Sequence, residues 1–109
     1  MTNTVRDFWL KCINGKTDSR SILDIKTRLE CADGFSMSVK AGEYWHSEPE
    51  YHLPDGEYSA WEIGFPSEED ELLESYYRNV GYSMGNVYGY IPTEIVNQII
   101  AKHGGIVGA

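Results

Sequence analysis

Basic residues are scarce in this 109-residue sequence and absent from its middle third. Nine Lys and Arg stand against 17 Asp and Glu, a formal charge of −8. A chain so acidic lacks the basic face that grips phosphate backbones, which argues against direct nucleic-acid binding. Cysteine is almost missing too. Cys12 and Cys31 form no Cys-x-x-Cys pair and fit a reducing cytoplasm better than a disulfide scaffold. No apolar run approaches the roughly 18 residues of a membrane span. The start, MTNTVRDFWLKCING, shows no basic segment followed by an apolar one, so nothing reads as a secretory signal. With no repeat, low-complexity tract or linker, a single domain over 1–109 is expected.

What is present is a sharp charge asymmetry. Residues 1–40 carry seven Lys and Arg and five acids, whereas residues 41–77 carry eleven acids and no Lys or Arg. Each like-charge pair at about 4 Å costs about 1 kcal/mol in water. Such a run is either a solvated face that maintains solubility or a patch for a cationic partner. Tyr44, Trp45, Tyr51, Tyr58, Trp61 and Phe65 are interleaved with it, which argues against disorder.

Periodicity supplies the elements. Residues 22–31 alternate, with Leu23, Ile25, Thr27, Leu29 and Cys31 on one face, and residues 35–41 alternate again. A three-residue Ala32-Asp33-Gly34 loop makes the two apolar faces coincide, pairing Leu29 with Met37 and placing Gly34 in the left-handed position. Residues 42–57 read as an irregular loop punctuated by Pro49, Pro54 and Asp55-Gly56. Tyr58–Phe65 reads as a third strand with Trp61, Ile63 and Phe65 inward. Ser67 reads as the N-cap of a helix buried through Leu72, Leu73, Tyr76 and Val80. A polar loop flanked by Gly81 and Gly85 leads to a short strand at Val87–Ile91. Pro92 opens a last helix with Ile95, Val96, Ile99 and Ile100 on one face, ended by Gly104-Gly105. Val5–Ile13 is ambiguous and is taken as a strand. The expected fold is α+β, a mostly antiparallel sheet of four to five strands with two helices packed on one face.

Chemistry is hard to place. His46 and His52 with Glu43, Glu48 and Glu50 match no standard metal spacing, so no metal or cofactor is expected. A dyad of Cys12 or Cys31 with His103 is weak: Cys31 lies on an apolar strand face, and His103 suits a helix C-terminus. Gly81, Gly85 and Gly89 lack the Lys-Ser/Thr of a phosphate loop. No catalytic residue is assigned, and the chain is not expected to be an enzyme.

The function expected instead is that of an acidic binding protein on a basic surface of a nucleic-acid-binding protein. Its contact set is Glu48, Glu50, Asp55, Glu57, Glu68, Glu69, Asp70, Glu71 and Glu74, with Tyr44, Trp45 and Tyr51 as aromatic anchors. Carboxylates three or four apart on a helix lie about 5–6 Å apart, commensurate with a phosphate backbone and open to nucleic-acid mimicry. The alternatives are a small enzyme or ligand-binding domain with residues 44–58 as a lid, and a structural or assembly protein that forms a homodimer or larger homo-oligomer through a sheet edge.

Four stretches carry a resemblance: Cys31-Ala-Asp-Gly-Phe-Ser-Met-Ser-Val39, Glu62-Ile-Gly-Phe-Pro-Ser67, Val87-Tyr-Gly-Tyr-Ile-Pro92 and Lys102-His-Gly-Gly-Ile106. Together they resemble a pattern in small proteins of phages and prophages. The resemblance implies a virus-encoded protein in the host cytoplasm. By analogy of size and charge it implies an inhibitor of host defence, anti-CRISPR proteins being examples, and it transfers no functional residue.

Overall fold

In the computed structural model, which describes residues 4–15, 25–78 and 86–108, the chain opens on a helix where a strand was expected. Helix α1 spans Val5–Ile13. Thr4 caps it, its Oγ1 accepting from the Asp7 N–H at 3.2 Å, and Asn14 closes it in the left-handed conformation at φ 47°. Its buried residues are Val5, Phe8, Trp9 and Ile13, a spacing that suits one helical face and defeats alternation.

Among the described residues six strands follow, and every pairing is antiparallel: β1 Arg28–Cys31, β2 Ser36–Lys40, β3 Ala60–Gly64, β4 Tyr77–Arg78, β5 Val87–Pro92 and β6 Ile106–Gly108. Helix α2, Thr93–Lys102, lies between the last two. The sheet order is β4-β5-β3-β2-β1-β6. The fold is therefore α+β as expected, an antiparallel sheet with two helices, with two strands not foreseen and the expected N-terminal one a helix. The additional edge strands β4 and β6 are two and three residues long, too short for periodicity to reveal.

The hairpin register is the one that face matching predicts. Leu29 pairs with Met37, Gly34 has φ 96°, and the Cys31 N–H donates to the Phe35 carbonyl while its own carbonyl accepts from the Gly34 N–H. Leu29, Cys31, Met37, Val39, Trp61, Ile63 and Ile91 all point inward. Val96, Ile99 and Ile100 of α2 and Trp9 of α1 join them in one core. Residues 22–24 and the loop flanked by Gly81 and Gly85, with Val80, lie outside the described residues.

Two expectations fail for visible reasons. Phe65 is 52% exposed and not core, because β3 ends at Gly64 and Phe65 takes φ 49°, where the period of two no longer holds. The helix expected from Ser67 is a series of bends and turns ending in a 3-10 turn at Glu74–Tyr76. Ser67 does not cap it. Its Oγ accepts from the Ser36 N–H at 2.9 Å and its N–H donates to the Ser36 carbonyl at 2.8 Å, fastening the chain to β2. Carboxylate spacings along a helix therefore cannot describe this segment.

Gly104 ends α2 at φ +93°, where a Cβ would stand 2.9 Å from the Ala32 Cβ. Gly104→Ala should cost about 2 kcal/mol or more in urea unfolding. Gly15→Ala, at φ +80° with open space around it, should cost only the backbone share, about 1 kcal/mol. Equal losses would show that contact with Ala32 is unimportant.

Candidate functional site

The loop at 42–57 is held against the sheet by its own polar groups. Ser47 is fully buried; its Oγ accepts from the Gly42 N–H at 2.9 Å and donates to the Pro49 carbonyl at 2.8 Å. Glu48 bridges to Ala60 through the backbone. The His46 carbonyl accepts from the Tyr90 N–H at 2.9 Å, and its Nδ1 lies 2.7 Å from Glu62 Oε1. The Tyr58 hydroxyl accepts from the Leu53 N–H and donates to the Tyr51 carbonyl. Its neighbours are thus backbone groups, and burial pushes its pKa up first, with Asp55 adding to that and the Leu53 bond opposing it.

On this scaffold the expected aromatic anchors separate. Tyr44 and Tyr51 are exposed, 47% and 60%. Trp45 packs against the core with Lys40 Nζ 5.2 Å from its ring centroid, so much of its face is already covered.

The carboxylates separate as well. Glu48, Glu50, Asp55, Glu57, Glu68, Glu69, Glu71 and Glu74 are exposed. Glu57 pairs with Arg6 at 2.9 Å, and Glu50 accepts from the Tyr90 hydroxyl. Among the described residues no ion pair involves Glu43, Glu48, Glu68, Glu69, Glu71 or Glu74. The Tyr88 hydroxyl is pushed up by burial first and then by Glu69, Tyr77 and Glu74, so those carboxylates stand beside β5. Tyr88 and Tyr90 are two residues apart on that strand, so β5 meets acids of both segments: Glu50 at Tyr90, and Glu69 and Glu74 near Tyr88.

Asp70 is the exception, and its placement corrects its inclusion in a surface contact set. Its side chain is 1% exposed. One oxygen lies 2.8 Å from His103 Nε2 and the other 3.2 Å from Lys102 Nζ and 2.9 Å from the Leu72 N–H. On the other side of the ring, His103 Nδ1 lies 2.6 Å from Asp33 Oδ2. Phe35 stacks on the imidazole at 4.0 Å with 9° between the planes. Residues 33, 70 and 103 are too far apart in sequence for any motif to join them. The only local signal was a histidine at a helix end, which suits the helix dipole equally well.

These contacts also bear on the other chemistry considered. Both nitrogens of His103 are engaged by carboxylates, leaving neither to serve Cys12 or Cys31 as a base. Burial, then Asp33, pushes the Cys31 thiol up to about 11, and burial raises Cys12 too. His46 is committed to Glu62, and among the described residues no three His, Cys, Asp or Glu side chains are placed to hold a metal ion. No described helix is long and apolar enough to cross a membrane. What the residues do form is a surface rich in carboxylates, three exposed tyrosines (Tyr44, Tyr51 and Tyr77) and an Asp–His–Asp cluster with His103 and Asp70 buried. No protein-family model, curated protein or solved structure matches the chain, so its own residues carry the functional argument.

Proposed function

We propose that this is a non-enzymatic protein that binds a basic surface on another protein, through the acids that flank β5 and the exposed Tyr44 and Tyr51. The observation behind the proposal is a set of exposed carboxylates that form no ion pair among the described residues: Glu43, Glu48, Glu68, Glu69, Glu71 and Glu74. Grouped like charges of this kind create a field that speeds encounter with a cationic partner and selects against acidic ones. Tyrosines add contact area at small entropic cost. On the resemblance to phage and prophage proteins, the partner we propose is a nucleic-acid-binding complex of a bacterial host's defence, met in the host cytoplasm.

The test is a triple variant, Glu68→Gln, Glu69→Gln and Glu71→Gln, with Asp70 left intact because it is internal. Three exposed charge pairs at about 0.5 kcal/mol each come to about 1.5 kcal/mol, roughly tenfold in affinity. Immobilised wild-type chain should retain a basic protein from bacterial lysate at low salt and release it as the screening length shrinks from about 30 Å at 0.01 M to about 8 Å at 0.15 M. Duplex DNA should displace it. Retention by the variant equal to wild type, or retention indifferent to salt, would remove these acids from the contact. A chain that captures nothing and behaves as a uniform dimer by light scattering would favour self-assembly instead.

A further inference from the structure

Three separate parts of the fold meet at one imidazole. Asp33 comes from the β1–β2 loop, His103 from the end of α2, and Asp70 from the acidic turns that follow β3. A neutral imidazole has a single N–H. With carboxylate oxygens at 2.6 and 2.8 Å on its two nitrogens, a neutral ring would set one lone pair against an ionised oxygen. The imidazolium donates to both. The His103 side chain is 7% and that of Asp70 1% exposed, so water cannot readily replace that contact, while Asp33 is half-exposed.

We propose that His103 is a proton-operated latch: charged, it fastens the acidic turns around Asp70 to the hairpin loop and to α2, and on losing its proton it lets them go. The proposal concerns how the segment is held and does not rest on what binds it.

The surrounding charges favour this arrangement. Lys102, on the same helix, neutralises the outer oxygen of Asp70 at 3.2 Å. Asp33 also accepts from the Phe35 N–H at 2.9 Å, and Asp70 from the Leu72 N–H at 2.9 Å. The Cys31 thiol beside Asp33 stays neutral. Burial alone would lower the His103 pKa, but its bonds to Asp70 and Asp33 and their charge outweigh burial and raise it above the ordinary imidazole value. Asp33 is lowered by the Phe35 N–H first and then by His103. Asp70, which burial would raise, is brought down by His103, Leu72 and Lys102. The latch is therefore fully closed between the carboxylate range, about 4, and the ordinary imidazole value of about 6.5. It opens as pH rises through the raised value of His103, or falls through the lowered values of the two carboxyls.

Native-state hydrogen exchange of the full chain at low denaturant tests this, alongside an NMR titration of the His103 ring. The Leu72 and Leu73 N–H groups donate to the side chain and the carbonyl of Asp70, so they report on the turns. They should exchange through a local opening insensitive to denaturant, whose equilibrium constant rises about tenfold as pH is raised above the ordinary imidazole value and follows the titration of the His103 ring. The Val39 N–H, inside the sheet, should exchange only by denaturant-sensitive unfolding. Asp33→Asn, at a half-exposed carboxylate, should lower the midpoint. Leu72 and Leu73 exchanging with the denaturant sensitivity of Val39, a local opening without pH dependence, or a ring titrating at or below the ordinary value would each overturn the latch.

Discussion

Replacing His103 with Ala lowers the unfolding free energy by about 3–4 kcal/mol at pH 6, followed by tryptophan fluorescence in urea. The size follows from what is left behind. Asp70 stays inside the protein at 1% side-chain exposure with Lys102 and the Leu72 N–H as its remaining partners, and Phe35 loses the ring stacked on it. Removing one member of a buried charged pair typically costs about 3–5 kcal/mol. Lys102 softens that here, which sets the lower half of the range. Against a total stability of about 5–15 kcal/mol, this is a large share. A loss below about 1 kcal/mol would mean that the cluster is well solvated and adds little.

A comparable loss, about 4 kcal/mol, is expected for Trp61→Ala. Trp61 is fully buried on β3, between β2 and β5 in the sheet. Its ring meets Trp9 of α1 edge-on at 5.6 Å and Tyr58 at 5.1 Å. Its Nε1–H donates to Thr93 Oγ1 at 2.9 Å, and the Thr93 hydroxyl in turn donates to the Tyr58 carbonyl at 2.5 Å. One indole thus joins the first helix, the central strand and the start of the second helix. Alanine removes a large apolar volume and the Thr93 donor together. Trp61→Phe, which keeps most of the volume, should lose roughly half as much, and equal losses for the two would identify the hydrogen bond as the dominant contribution.

The parts of this fold that were legible beforehand are those in which one local rule acts alone. Alternation at Leu29, Cys31, Met37 and Val39 set both the faces and the three-residue loop, and the apolar stripe of Val96, Ile99 and Ile100 set α2. Val5–Ile13 carries helix signals too, in Thr4 with Asp7 three residues on and in the helical spacing of Phe8, Trp9 and Ile13, but so short and mixed a segment fits a period of two nearly as well. At 66–76 the local signals pointed to a helix, and distant partners overrode them: Ser36 engages Ser67, while His103 and Lys102 draw Asp70 inward. The same cause divides the candidate site. Exposure of Glu68, Glu69 and Glu71 followed from their charge, whereas the burial of Asp70 among them depended on residues more than thirty positions away.

The placement of β6 beside β1, and of α1 against α2, has a consequence for how the chain matures. Val5 donates its N–H to the Asn97 side chain, 92 positions later, and the sheet gains one edge only when residues 106–108 arrive. Connections of this span demand that widely separated stretches find each other before either is rewarded, which slows the search. The core therefore closes only when the stretches around Val5 and Ile106 are present together, which makes the two ends of the fold interdependent.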